Sequence, residues 1–419
     1  MKTNNKRKMA AKSPKKLTCI DLFAGCGGLS LGLEEAGFQP LLVSELSKDA
    51  MATYMANRQG QGIKQEFDIH KLTNAKLGRY MDEWNKDIDL VCGGPPCQGY
   101  SGIGHRRSFD IQKEDIPSNR LYLQMIRVIK KVKPKAFLFE NVKGLMSGRW
   151  TKGGRKGEIW DDVRTAFMGI KGYVARPTLV QAKHYGVPQN RPRVIIIGIR
   201  EDLASCPDRD CPADAVAAGL LPARNGAVAP DLIDLLGDLI DPRYGEKKAT
   251  EKYHKAPAND VQKQLRSKDG KLMLKKGDPL TQQEYSNHKD EIREKFQWMI
   301  DKQEWRREEL PKKWRTKKFA QRLLRSKWDD EPNITATSLP DDYVHFSQPR
   351  ILTVREWARL QTFPDWYEFC GPRTTGGRRR AGDPDAGVWD RDVPRYTQIG
   401  NAVPVLLAKK IGEHLLGLL

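Results

Sequence analysis

From Leu17 onward the apolar residues come in short continuous runs, separated by segments in which they recur every three or four positions. The runs Leu17–Phe23, Leu41–Glu45, Ile88–Cys92, Ala136–Glu140, Thr178–Ala182 and Val194–Ile199 read as buried strands. Leu121–Lys131 and Asp161–Met168 carry the helical period instead. This alternation predicts an α/β doubly wound, Rossmann-like sheet between Leu17 and Arg200. After Arg200 the pattern breaks: residues 201–349 have few strand-like runs, many charges and scattered tryptophans, which predicts a smaller second domain or a large insertion. The last stretch, AVPVLLAKKIGEHLLGLL from Ala402, follows a tight Gly400-Asn401 turn and is spaced as an amphipathic helix.

Composition adds a partner to this outline. With 419 residues and 39% hydrophobic content the chain can bury a large core and a smaller one. A formal charge of +20 favours a polyanion, with nucleic acid first among the candidates. Basic and aromatic residues interleave most densely from Trp305 to Trp328, a stretch that reads either as a nucleic-acid contact or as a solvated helix face. The basic N-terminus lacks the apolar segment of a secretory signal, and no run of 18 apolar residues follows. A soluble intracellular protein without a membrane partner is expected. The odd cysteine count, 7, argues for reduced thiols, and the Cys206/Cys211 pair has no second pair to complete a metal site.

Three groups of residues carry candidate chemistry. In DLFAGCGGLSLGLEEAGF, Asp21 to Phe38, a strand runs into Gly25, Gly27 and Gly28 and then a helix, the arrangement that lets a nucleotide-like cofactor approach backbone and helix N-terminus. Glu45, at the next strand end, is placed to hold ribose hydroxyls or is an ordinary strand-end charge; Asp68, with Ile69, meets an adenine edge or caps a helix. In GGPPCQGYS, Gly93 to Ser101, prolines and glycines fix the backbone around Cys97, which a merely packing cysteine does not need. Glu140 in ENV ends a further strand, and the arginines of QNRPR, Gln189 to Arg193, lead into another at Val194–Gly198. A thiol, a carboxyl group and an arginine at one sheet edge suit nucleophilic addition to a polarised heteroaromatic ring.

These motifs, with RILTVREWARLQTFP (Arg350 to Pro364) and QIGNAVP (Gln398 to Pro404), occur in the order of the DNA (cytosine-5)-methyltransferase family, which the chain resembles from about Leu17 to its end except near 201–349. The resemblance implies methyl transfer from S-adenosylmethionine to C5 of a cytosine flipped out of double-stranded DNA. By the same resemblance Cys97 is the nucleophile that adds to C6, Glu140 engages N3 and N4, Arg193 helps hold O2 and Arg191 supports it. Phe23, Gly25, Cys26, Gly27 and Gly28 match the first cofactor motif, Glu45 the ribose contact, Asp68 and Ile69 the adenine contacts, and Asn401 and Ala402 the last motif. The glycine-hinged basic loop Gly99–Arg107 is expected to close over DNA during flipping. Tyr100 stands where the family more often has phenylalanine, and the stretch between Phe369 and Tyr396, with Arg378–Arg380, exceeds the short link expected there.

The expected organisation is a basic flexible arm at 1–16, a catalytic and cofactor-binding domain at 17–200 completed by 396–419, and a target-recognition domain at 201–395 with its variable part at 201–349. The size resembles a bacterial modification enzyme, monomeric, cytoplasmic and nucleoid-associated, with a cognate restriction endonuclease as its partner. A tRNA cytosine-5 methyltransferase is the first alternative, but the Cys-Phe-Thr element of that branch is missing. A silent DNA-binding regulator of the same fold does not account for intact Cys97, Glu140 and Arg193, and a nicotinamide oxidoreductase leaves GGPPCQGYS and QNRPR unexplained.

Overall fold

The computed structural model describes residues 16–96, 120–151, 153–224, 226–304, 306–316, 321–374 and 392–419. Its centre is a seven-stranded sheet of order β3-β2-β1-β4-β5-β7-β6. The strands are β1 (Leu17–Leu22), β2 (Phe38–Ser44), β3 (Lys64–Glu66), β4 (Leu90–Gly93), β5 (Ala136–Val142), β6 (Tyr173–Gln181) and β7 (Pro192–Arg200). β1 to β5 pair in parallel, and β7 inserts antiparallel between β5 and β6. Successive side chains of a strand face opposite layers. Ile20 and Leu22 therefore join one core with α3 (Asn74–Trp84), α4 (Tyr122–Val132) and α5 (Glu158–Met168). Cys19 joins the other, under α1 (Gly28–Ala36) and the C-terminal helix Val405–Leu416.

The C-terminal helix returns across the whole chain to lie on α1. Small residues permit the approach: a Cβ on Gly32 would sit 2.4 Å from the Val405 carbonyl oxygen, and one on Gly412 would sit 2.7 Å from Ala36 Cβ. The Gly400-Asn401 turn expected before this helix is instead the end of a further helix, Arg395–Asn401, after which Ala402 is extended. Leu203, Ala215, Leu220 and Leu221 still pack on the sheet. A second core gathers Leu232, Tyr253, Trp357, Leu360, Phe363, Tyr367 and Tyr396, and takes in Cys26, Leu31 and Val405 from the sheet side.

That second core is built around the short helix Val354–Leu360, capped by a reciprocal Thr353/Glu356 pair and buried at every position. It also encloses charge. Arg350 and Glu356 pair at 2.6 Å, and Arg359 bridges Asp238 and Asp365, each at 2.6 Å. Burial alone would raise the Glu356 carboxyl, but the Arg350 guanidinium overrides it and holds the group at about 2. No helix among the described residues is long and apolar enough to cross a membrane. Residues 1–15 of the expected arm, Cys97, the Gly99–Arg107 loop, Lys317, Lys318 and Arg378–Arg380 lie outside the described residues.

Candidate active site

Strand order reverses between β1 and β4, where open α/β sheets present their carboxyl-end crevice. Leu22 lies beside Gly93 in that pairing, so the glycine loop after β1 and the GGPP loop after β4 leave the sheet side by side. A Cβ on Gly93 would come within 2.4 Å of the Leu22 carbonyl oxygen. Only glycine lets the two loops start so close together.

In the first loop Phe23, Gly25 and Gly27 all take left-handed backbone, at φ 58°, 55° and 85°. For Phe23 that conformation is strained, and strain of this kind clusters at ligand sites. A Cβ on Gly25 would have nothing within 4 Å, so this residue faces open space. The N-terminus of α1 receives no side-chain cap. Glu45 shapes the loop from the side, its carboxylate accepting the Gly25 amide at 2.9 Å and the Ser47 amide at 2.8 Å, while burial pushes its carboxyl up. Beneath the loop the fully buried Asp21 accepts from Ser30 Oγ, and burial raises its carboxyl to about 7.

Cys26 and Ile69 contribute little of their side chains to the crevice. The Cys26 thiol is buried against the Gln398 carbonyl oxygen, and burial pushes it to about 12. Ile69 lies in the core under the sheet. Asp68 accepts the His70 amide at 2.9 Å and closes a turn, and this bond holds its carboxyl below the usual range. Asn401 is exposed at the end of its helix, with Ala402 next to it.

The second half of the crevice is made by β5 and β7. Their antiparallel register sets Glu140 opposite Ile195 and Val142 opposite Arg193, so Glu140 and Arg193 share one face as diagonal neighbours. Arg193 Nε lies 2.7 Å from Glu140 Oε1, close enough for an ion pair but out of hydrogen-bond alignment. Burial raises the Glu140 carboxyl against the pull of Arg193 and Arg191. Gly94 leaves room for this carboxylate, since a Cβ there would lie 2.9 Å from Glu140 Oε2. Arg191 points elsewhere: its guanidinium donates to the carbonyls of Ala336, Gly400 and Ala402, at 2.7, 2.7 and 2.9 Å. It thereby ties the base of β7 to the last cofactor motif and to the second core.

One half of the crevice opens at Gly25 beside the N-terminus of α1, and the other holds a raised carboxyl beside an arginine. The profile described as C-5 cytosine-specific DNA methylase covers residues 17–417. The protein belongs to that family. It is 32% identical over 424 residues to the Type II methyltransferase M.PspPI of Psychrobacter sp., covering 98% of this chain and 82% of that one. It is 30% identical over 409 residues to the Type II methyltransferase M.DdeI of Desulfomicrobium norvegicum, covering 95% and 88%. Among solved structures, a prophage-encoded protein of E. coli named as a DNA modification methyltransferase superposes with a TM-score of 0.64 at 23% identity, covering 96% of this chain and 99% of that one. A Spodoptera frugiperda DNMT2 mutant superposes at 0.52 and 16% identity, covering 96% and 100%. At these identities the structural likeness speaks to the fold.

As a member of the family the protein is a DNA cytosine-5 methyltransferase that takes its methyl group from S-adenosylmethionine. The loop fits that cofactor: Gly25 opens onto free space, the α1 N-terminus is uncapped by side chains, and Glu45 stands at the rim.

Two contacts of the crevice have no counterpart in the sequence reading. Asn141 Nδ2 donates to the Pro95 carbonyl at 2.9 Å and so fixes the approach to Cys97 from the neighbouring strand. Its place inside ENV was the available signal. The Tyr367 hydroxyl, from the second core, donates to the Cys26 carbonyl at 2.6 Å, and no local pattern announced it.

Proposed function

We propose that the enzyme methylates C5 of a cytosine flipped from a specific word of double-stranded DNA, through addition of the Cys97 thiolate to C6, as the modification component of a Type II restriction system. The observation that carries this reading is the buried Glu140–Arg193 pair beside the loop that leads to Cys97. Cytosine C5 is a poor nucleophile until C6 is saturated. When sulfur bonds to C6, the ring electrons move toward N3 and O2. A carboxyl raised by burial can share its proton with N3 at that moment, and Arg193 stabilises charge at O2. C5, now enamine-like, forms the new carbon–carbon bond. When bound, S-adenosylmethionine would supply the electrophilic methyl group, its sulfonium–methyl bond breaking as the new bond forms and the neutral thioether leaving. Loss of the C5 proton to a base then lets the thiolate leave and restores the aromatic ring.

In this scheme Phe23, Gly25, Cys26, Gly27 and Gly28 seat the cofactor through backbone, Glu45 holds its ribose, Asp68 and the Ile69 backbone border the adenine, and Asn401 and Ala402 close the far side. Arg191 acts by positioning, through its carbonyl contacts. Word recognition falls to the unit within 201–395, which supplies most of the second core. The names of the relatives support the restriction-modification setting.

Expression in a host without cytosine methylation, followed by bisulfite sequencing of its DNA, tests the reading. Cytosines protected at one recurring word support it, and methylation found only at exocyclic nitrogens, or on RNA alone, overturns it. Exchange of residues 201–349 with those of a relative should change the word and keep C5 as the methylated atom.

A further inference from the structure

The glycine loop is held from behind as well as from the crevice. Tyr367 Oη donates to the Cys26 carbonyl at 2.6 Å and accepts from Arg58 Nη1 at 2.9 Å. Arg58 Nη2 reaches the Gly27 carbonyl at 3.3 Å, and its Nε pairs with Glu34 at 2.6 Å. The guanidinium also lies 3.9 Å over the Tyr54 ring. Tyr54, Arg58 and Tyr367 are all buried. Together they form a plate on which the loop lies flush. A Cβ on Gly27 would be 2.8 Å from Tyr54 Cδ2, 2.9 Å from Arg58 Nη1 and 2.9 Å from Tyr367 Oη.

The origin of these residues differs. Tyr54 and Arg58 belong to or follow α2 (Lys48–Ala56), close to the loop in sequence, whereas Tyr367 arrives from the second core, packed against Phe363 and Phe369. Its phenol is one of the groups by which that core grips the loop, alongside the Gln398 carbonyl that receives the Cys26 thiol. A loop with three left-handed positions at alternate residues and several glycines has many conformations to lose on binding. Fixing it beforehand removes that cost from the binding step.

We propose that Tyr367 is a positioning residue for S-adenosylmethionine: with Arg58 it pre-forms the glycine loop from behind, so that cofactor affinity is set in part by the seat of the second core. This rests on the reading of the loop as the cofactor site. Tyr367→Phe keeps the ring packing and removes the one oxygen. It leaves the Cys26 carbonyl short of its donor and Arg58 short of an acceptor. The expected result is a rise of about tenfold in Kd and KM for S-adenosylmethionine, with kcat at saturating cofactor and affinity for duplex DNA close to wild type. A role confined to stability would instead lower the active fraction and leave KM unchanged.

Calorimetric titration of S-adenosylmethionine into wild type, Tyr367→Phe and Glu45→Gln makes the comparison. A raised Kd in both variants supports the proposal. A raised Kd in Glu45→Gln alone overturns it and keeps the cofactor site. Unchanged Kd in both overturns the loop as the cofactor site altogether. Hydrogen exchange in the unmutated, cofactor-free protein supplies a test that needs no variant: the amides of Gly25 and Gly27, which donate to Glu45 and to the Ala24 carbonyl, should already be protected, and exchange at the rate of an open loop would contradict pre-formation.

Discussion

Glu140 and Glu356 are both buried carboxylates facing an arginine, yet burial raises the first and Arg350 draws the second down to about 2. The surroundings explain the divergence. Glu356 accepts two bonds from Arg350, at 2.6 Å each, another from Gln283 at 3.1 Å, and the Thr353 amide at 2.8 Å. Glu140 faces Arg193 at 2.7 Å without hydrogen-bond alignment, and its Oε1 has no hydrogen-bond partner among the described residues. Charge in the second core is saturated and serves to hold the chain. At the end of β5 it is left incompletely satisfied among the described residues, which costs stability and keeps the carboxyl's proton affinity high.

Substituting the two glutamates separates these uses. Glu140→Gln should lower methyl transfer by roughly 10²–10⁴-fold, the usual worth of a positioned acid or base, and should cost less stability than the change at Glu356, because the Glu140–Arg193 pair lacks hydrogen-bond alignment. Glu356→Gln should do the reverse, costing about 3–5 kcal/mol because Arg350 keeps its buried charge without a partner, with the rate per folded molecule preserved. Activity assays normalised to the folded fraction measure both. Equal losses of stability from the two changes would erase the contrast.

Two glycines repeat the comparison in backbone. Gly25→Ala places a methyl group in open space at φ 55°, so strain of about 1–2 kcal/mol is expected together with a tenfold or greater loss of cofactor affinity. A Cβ on Gly400 would meet the Thr337 carbonyl oxygen at 2.1 Å, so Gly400→Ala should cost several times more stability, read by thermal unfolding. A Gly25→Ala protein that binds S-adenosylmethionine normally would remove this residue from the site.

Asp21 gives an effect whose sign is defined by pH. Its carboxyl rises from 3.8 to about 7 because the folded state buries it, so the folded protein binds the proton more tightly than the unfolded chain. The associated stability is present below about pH 4 and is lost as pH rises toward about 7. Between pH 5 and pH 8 this group alone should destabilise the protein by about 2–3 kcal/mol. In Asp21→Asn that part of the pH dependence should vanish in urea titrations at the two pH values, and an identical slope in both proteins would place the titration elsewhere.

The sheet was legible where strands are continuous apolar runs, and less so at its edges. β3, Lys64–Glu66, is a polar three-residue edge strand with no hydrophobic run to reveal it. β6 begins at Tyr173, ahead of the expected Thr178, because Arg176 and Pro177 interrupt the apolar pattern. Arg176 is buried all the same, donating to the carbonyls of Ala175 at 2.9 Å and Pro212 at 3.0 Å, and Pro177 is tolerated on an edge strand. In the crevice, Glu140 and Arg193 could be read from strand ends and motif order. The Asn141–Pro95 and Tyr367–Cys26 contacts could not, since they join residues 46 and 341 positions apart that carry no shared periodicity.

The central claim is that a thiolate from the GGPP loop adds to C6 while Glu140 and Arg193 take up the charge. Duplex DNA carrying 5-fluorocytosine in place of cytosine at the methylated word tests it most directly. Cys97 can add and the methyl group can transfer, but fluorine replaces the proton whose loss would release the enzyme. The account predicts a denaturation-resistant protein–DNA complex that forms only with S-adenosylmethionine present, with the modified base on the peptide containing Cys97. A protein shown to bind both S-adenosylmethionine and this duplex yet forming no covalent complex would contradict it.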